Sequence, residues 1–442
     1  MKGGKVLKTI KEEQRIPIVK RVDIVIVGGG PAGIVSALAS ARNRAKTLLI
    51  ERFGALGGMA ISGLSLLTFH DTHGQQVIRG IAQEIIDRLA DVNGTLGHIE
   101  ARLERKVLRT LTPIDPEKMK VVVLEMIKDS EVDLSLYTWG VNSIVSDKKI
   151  EGIIIESKSG RQAILAKRVI DATGDADIAY KAGVKINKGR PQDGKMQPVS
   201  LPFIVGNVDM KKLKEVSPQQ WKEICEQGNK AGELPQTVGK FWYTPLPMKR
   251  LISINSTRVL NIDGTNVFDL TRAEIKLREQ VFQVLSFLRK RVPGFQSSIL
   301  VKTAPQVGIR ETRRIVGKYV LSGEDVINER NFHDTIARGA YPIDIHNPSG
   351  IGTNFTPLKS GGSYGIPYRC LIPKHIQGLL VAGRCISVDY KALASVRVMA
   401  TCMAMGQAAG TAAARSIKEN KALSDISISE LQKTLKEQKA II

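Results

Sequence analysis

A chain of 442 residues is too long for one simple core and implies two domains, with room for a small third subdomain. With 43% hydrophobic and 24% charged residues it is neither disordered nor fibrous; four scattered cysteines (Cys225, Cys370, Cys385, Cys402) without a CxxC pair argue against a disulfide framework and a zinc site, and fit a reducing compartment. The net charge of +22 is spread along the chain with no nucleic-acid-binding motif, so it reads first as a generic solvated surface, with attraction of an anionic ligand and, last, binding of a polyanion as alternatives.

The leader MKGGKVLKTIKEEQRIPIVKR is basic and interrupted by charges; it lacks the apolar run of a secretory signal, and a cytoplasmic protein is expected. Val22–Val27 is a continuous β-branched run, the pattern of a strand buried on both faces. A glycine-rich turn follows, then an Ala-rich helix over Ile34–Asn43 and a short strand, Lys46–Ile50, that ends in Glu51. Together these make a βαβ unit. Gln75–Asp91 predicts an amphipathic helix, and Asp115-Pro116 opens another that runs to Lys128. Between Val132 and Ile170 the period changes to that of short strands joined by tight turns, a β-meander leading into Asp171-Ala172-Thr173-Gly174-Asp175. The stretch 185–335 is less regular, Pro-rich, and carries a long helix near Thr271–Arg291. The last part returns to the first idiom: Gly378–Val381 is a buried strand, Ala382-Gly383-Arg384 a turn, and Ala392–Lys418 a long helix. Its uncharged portion, Val398–Ala414, is short and rich in Ala and Gly, which reads as a buried helix and not a membrane span.

Gly28-x-Gly30-x-x-Gly33 is the strongest signal. Gly28 permits the tight turn off the strand, Gly30 lets backbone approach a pyrophosphate, and Gly33 lets the helix pack close to the sheet. The phosphates then meet the free N–H groups and positive dipole end of the helix. Glu51, an acid at the next strand end, suits a ribose diol. Two later features favour FAD over NAD: the Gly-rich loop Arg52–Met59, and the Asp171–Asp175 turn that returns backbone to the nucleotide after the meander.

The segments VDIVIVGGGPAGIVSALASAR, LLIERFGALGGM, AKRVIDATGDADIAYKAGV, RETRRIVGKYVLSGEDV and YGIPYRCLIPKHIQGLLVAGRCISVDYKALASVRVMATCMAMGQAAG carry a resemblance. The chain resembles the FAD-dependent oxidoreductase family with the glutathione-reductase-type FAD fold, in the branch grouped with fumarate-reductase and succinate-dehydrogenase flavoproteins. The resemblance covers the N- and C-terminal thirds; the middle, roughly 187–301, matches less clearly. It implies an α/β fold: a Rossmann-like FAD-binding domain with parallel sheet and β-meander in two parts, 20–184 and 336–420, an inserted α+β substrate domain over 185–335, and a C-terminal helical tail over 421–442. It also implies roles. Gly28, Gly30, Pro31, Ala32 and Gly33 cradle the pyrophosphate, Glu51 binds the adenosine ribose, and Arg52 lies along the adenine. Gly57, Gly58 and Met59 pass the ribityl chain and ring, Val141 meets adenine through its backbone, and Ala172, Thr173 and Gly174 close over the nucleotide. Gly383 and Arg384 contact phosphate and ribityl chain. The N-terminus of the last helix, around Ser395, Val396 and Arg397, points at the N1/O2 edge of the flavin, where dipole and guanidinium favour negative charge.

Candidates for substrate chemistry are Arg310 and Arg313, since guanidiniums recognise carboxylate or phosphate bidentately, and His346 with Asp344 as an acid–base pair. Each has a plainer alternative, surface ion pairing with Glu311 for the arginines and a structural loop for His346. Tyr364, Tyr368 and Arg369 are further wall candidates. His70, Asp71 and His73 have metal-ligand types but no third cluster, so no metal is expected, and a histidine bonded covalently to flavin is a side alternative. Cys370 and Cys385 lack the close spacing of a redox dithiol. The expected function is hydride transfer between a small-molecule substrate, anionic ones included, and flavin N5, with an unidentified electron donor or acceptor. No nucleic-acid partner is expected, and a homo-oligomer is compatible. The alternatives are an NAD(P)-dependent dehydrogenase without flavin, and a flavoprotein whose basic surface binds nucleic acid.

Overall fold

A computed structural model describes residues 10–101, 109–238 and 241–442; the first nine residues of the basic leader lie outside it. The chain enters the sheet with β1 (Ile18–Val27), where Ile24, Val25 and Ile26 are wholly buried, as a strand covered on both faces requires. Helix α1 (Pro31–Arg42) starts with proline in its first turn, and β2 (Thr47–Ile50) follows. Helix α2 (Ile81–Asp91) begins later than its apolar periodicity suggests, because Gly80 sits at φ 66° and breaks the helical path. At α3 (Pro116–Asp129), the Asp115 carboxylate accepts from the N–H groups of Glu117 and Lys118.

β3 (Asp133–Ser135), β4 (Trp139–Ser146), β5 (Lys149–Ser157) and β6 (Gly160–Asp171) complete the first part of the sheet. Strand order is β3-β2-β1-β6-β5-β4. The pairs around β1 and β2 are parallel, and β4-β5-β6 is the antiparallel meander. After a short helix α4 (Asp177–Lys181) comes a separate antiparallel sheet of β7 (Phe203–Gly206), β8 (Tyr243–Pro245), β9 (Ile252–Ile254) and β10 (Ile299–Thr303), ordered β8-β9-β7-β10. Helix α5 (Val267–Arg291) buries Ala273, Leu277, Val281, Val284 and Leu288 in a second hydrophobic core that runs from Val199 to Val307. Ile315, Leu321 and Val326 pack into the first core instead.

The chain then forms β11 (Ile343–His346) paired with β12 (Thr353–Thr356), and β13 (Leu379–Val381) rejoins the parallel sheet beside the end of β6. The expected long helix is interrupted. Helix α6 (Tyr390–Val396) ends at Arg397, Val398 is extended, and α7 (Met399–Lys418) starts afresh. The helix N-terminus expected around Ser395–Arg397 therefore lies at Val398–Met399, and α8 (Ile428–Glu437) follows as the last helix. Among the described residues no helix is long and apolar enough to cross a membrane.

Candidate functional site

Strands β1, β2, β6 and β13 all end at one open cleft, whose wall includes Val27, Ile50, Ala172 and Ala382. Ligands of open α/β sheets sit at this carboxyl edge. The glycine turn is shaped by contact. Gly28 lies at φ 105°, and a Cβ there would come within 2.6 Å of the Ala172 carbonyl oxygen. At Gly33 it would stand 1.7 Å from the Gly28 carbonyl oxygen. At Gly30 it would meet nothing within 4 Å, because this residue faces the cleft. Pro31 and Ala32 line the cleft at the free N-terminus of α1.

Glu51 is buried, and its carboxylate is aimed by two backbone N–H donors, Gly29 to Oε2 at 2.6 Å and Phe53 to Oε1 at 2.9 Å. Arg52 lies over the rings of Phe53 (4.8 Å) and Trp139 (5.9 Å), a flat basic wall suited to a base. Gly57 N–H bonds the Gly29 carbonyl at 2.8 Å, which brings Gly58 against Gly30 and Met59 into the cleft wall. Burial pushes the Asp171 carboxyl up to about 6; it holds the next turn by accepting from Thr173 and Ala179. Thr173, Gly174, Gly383 and Arg384 then close one side. Arg384 pairs with Asp175 at 2.7 Å, while its Nη1 is buried with no partner.

These features fit FAD. An open Gly30, a helix N-terminus and an orphaned guanidinium nitrogen suit the diphosphate, and an aimed carboxylate beside stacked rings suits the adenosine. Gly33 and Gly57 act behind the wall. Val141 is outside the wall too; a register shift between Gly140 and Asn142 leaves it unpaired, and Thr138, Trp139 and Gly140 line the cleft in its place. Ser395 and Val396 are buried away from it, with Ser395 Oγ hydrogen-bonded to the Tyr364 hydroxyl at 2.6 Å, whereas Arg397, Met399 and Cys402 reach the wall. Sequence reasoning missed Trp139, Gln306, Val307 and Ile309; no local motif marks them.

Of the four substrate-site candidates, three come together. Asp344 Oδ2 accepts from the Tyr341 hydroxyl at 2.9 Å and lies 3.4 Å from His346 Nε2, and Arg310, whose Nη1 donates to the Pro198 carbonyl at 2.7 Å, lies within electrostatic reach of the same carboxylate. Arg313 is elsewhere, paired with Asp177 at 2.8 Å and stacked on Tyr180 at 4.5 Å. Tyr368 donates to the Leu423 carbonyl and Arg369 pairs with buried Asp334, so neither reaches the cleft. His70 packs on His98, His73 meets the Ser360 carbonyl, and Asp71 accepts from backbone N–H groups. All four cysteines are free and buried.

Burial and the Arg310 and Arg397 charges outweigh the pull of Asp344 and hold His346 down at about 4. Burial opposes ionisation of Asp344, but His346, Arg397 and Tyr341 prevail and hold it at about 2. His346 is thus neutral in the fold, while the unfolded chain protonates it near its ordinary 6.5. Below that pH the unfolded state binds the extra proton, so stability falls as pH drops from 6.5 toward 4. His98, also held at about 4, adds in the same sense, and Asp171 opposes it below about 6. In urea denaturation between pH 4.5 and 6, His346→Gln is expected to flatten the slope by about 1.4 kcal/mol per pH unit. An unchanged slope would mean that His346 titrates as it does in the unfolded chain.

The FAD dependent oxidoreductase family model matches residues 23–435. The chain belongs to that family, and FAD is its cofactor. It is 32% identical over 108 residues to a dihydrolipoyl dehydrogenase of Trypanosoma brucei brucei, covering 20% of this chain and 22% of the relative. It is 32% identical over 167 residues to a thiamine thiazole synthase of Methanococcus vannielii, covering 36% of this chain and 58% of the relative. The chain thus spans less than two thirds of these relatives. Among solved structures, a geranylgeranyl bacteriochlorophyll reductase-like protein of Thermoplasma acidophilum shares the fold at TM-score 0.50 and 16% identity, covering 95% of this chain and 84% of the other. The flavin-less dehydrogenase and nucleic-acid-binding readings are not favoured by these findings.

Proposed function

We propose that the protein exchanges a hydride between a carbon of a small, anionic substrate and N5 of non-covalently held FAD, and passes the electrons on to or from a second partner. The carrying observation is the cleft itself, whose wall brings together Gly28, Gly30, Glu51, Ile309 and Arg397. FAD supplies the two-electron chemistry there. Gly30 and the α1 N-terminus hold its diphosphate, Glu51 its ribose, Arg52 and Trp139 its adenine, and Gly58, Met59 and Gly383 flank the ribityl chain. Ile309, Met399 and Cys402 add apolar wall that excludes water. Asp344 and His346 handle the proton that accompanies the hydride, with neutral His346 ready to accept one.

The expected division is a FAD-binding domain of two parts, 20–184 and 336–420, an inserted substrate domain over 185–335, and a helical tail over 421–442; the second core, Val199 to Val307, supports an insertion that is shorter at its C-terminal end, since Ile315, Leu321 and Val326, like Leu431 and Leu435 of the tail, pack into the first core. Free cysteines support a cytoplasmic setting. No nucleic acid takes part; a homo-oligomer is compatible. The test is an absorbance spectrum of the purified protein before and after acid precipitation. Flavin bands that pass to the supernatant are expected. Colour kept in the pellet would mean a covalent bond, and a colourless protein that takes up no added FAD would overturn the reading.

A further inference from the structure

Helix α5 buries one side in the second core and opens the other to solvent, and the open side is not polar. Ala273, Leu277, Val281 and Leu288 are buried, whereas Phe268, Ile275 and Phe282 are 79%, 57% and 63% exposed. Seven residues are two helical turns less about 20°, so these three form one row. The same period sets that row opposite the buried side. Core packing therefore gives no reason for two phenylalanines and an isoleucine in water, and such a row calls for a partner surface.

The charges beside the row cancel, in a protein that is otherwise strongly basic. From Val267 to Gln283 three acids, Asp269, Glu274 and Glu279, offset three bases, Arg272, Lys276 and Arg278, while the whole chain carries +22. Two copies of such a chain repel one another over most of their surface, and least where local charge cancels. A neutral face also gives an anionic bilayer little to hold, since interfacial helices bind membranes through Lys and Arg on their polar side.

The row is complementary to itself. In an antiparallel pair with its two-fold axis at Ile275, each residue meets the one equally far on the other side of Ile275. Ile275 then packs on its own counterpart, and Phe268 on the partner's Phe282. Helical spacing puts Arg272 and Glu279 on one flank of the row, so the axis sets Glu279 beside the partner's Arg272 at both ends. Within the chain Arg272 pairs with Asp269 and Arg278 with Glu274, and among the described residues Glu279 makes no ion pair. The three apolar side chains offer about 400 Å² on each copy. With the polar flanks of a helix about 37 Å long, the pair approaches the ~800 Å² per partner of a stable interface.

We propose that this face of α5 pairs with the same face of a second copy, giving an antiparallel two-fold dimer. The proposal goes beyond the redox reading and does not depend on it.

Sedimentation equilibrium of the FAD-loaded protein over roughly 1–100 μM tests it, and a dimer is expected. Ile275→Glu sets two like charges on the axis and is expected to weaken association by ~100-fold, with flavin content and the melting temperature of the dilute protein unchanged. Glu279→Arg is expected to weaken it by ~10-fold, and adding Arg272→Glu to recover most of that loss. Ile275→Cys is expected to cross-link into dimers on mild oxidation, because the chain's own four cysteines are buried and residue 275 meets its counterpart. If Ile275→Glu fails to fold, this cross-link decides. A parent that stays monomeric at 100 μM would overturn the proposal, as would a dimer that Ile275→Glu leaves intact. So would a monomer that binds phosphatidylserine vesicles and loses them with Ile275→Glu, which would give the face to a membrane.

Discussion

A Gly30→Val variant is expected to fold as the parent does and to come out of purification colourless. Gly30 has φ −81° and ψ −173°, extended geometry that valine adopts without strain. A Cβ there would meet no protein atom within 4 Å, and Gly30 lines the cleft. A side chain there would fill the space where the diphosphate meets the α1 N-terminus. Affinity for FAD should fall by about 100-fold or more, a loss of ~3 kcal/mol. The melting temperature of the flavin-free form should stay that of the flavin-free parent. Gly28→Val and Gly33→Val should instead fail to fold, since their new atoms would collide with the Ala172 and Gly28 carbonyls. Reconstitution with FAD, followed by absorbance and thermal melts, separates the cases. Flavin retained by Gly30→Val at parental stoichiometry would mean that the phosphates do not cross this residue.

That contrast shows what was legible in the sequence. Val22–Val27, the glycine turn and Glu51 lie within one continuous stretch, so local rules for buried strands, tight turns and helix starts place them without knowledge of the rest. The meander and the return of β13 to the sheet were legible for the same reason. Positions brought in from a distance were not. Trp139 takes the place expected of Val141 because of a register shift in β4, which no periodicity announces. The arginines near residue 310 read as one basic cluster, but backbone geometry sends them three ways: Arg310 to the Pro198 carbonyl, Arg313 to Asp177, and Arg314 to Glu311 and the Gly189 carbonyl. The break at Val398 is likewise set by packing, since Ala-rich sequence on both sides favours an unbroken helix.

Gly406→Ala and Gly410→Ala are expected to destabilise the protein, reversing the usual sign for a glycine inside a helix. Alanine in place of an exposed helical glycine normally gains about 1 kcal/mol. Here α7 crosses α1 at backbone contact. A Cβ on Gly406 would stand 2.3 Å from the Ala32 carbonyl oxygen, and one on Gly410 2.2 Å from that of Ser36. Both neighbours are backbone and cannot swing aside. The crossing is also hydrogen-bonded, with Ser36 Oγ donating to the Gly406 carbonyl at 3.0 Å, so separating the helices costs that bond as well. A net loss of ~2–3 kcal/mol for each alanine is expected, and more for valine. The two sites should differ in their effect on cofactor. Gly406 presses on Ala32, in the first turn of α1 and in the cleft wall, whereas Gly410 presses one turn further along. Gly406→Ala should therefore lose FAD affinity as well as stability, and Gly410→Ala mainly stability. Thermal melts of the flavin-free proteins and FAD titrations check both halves. A higher melting temperature for Gly406→Ala would show that the helices part freely, and would remove the mechanical link between the C-terminal segment and the dinucleotide turn.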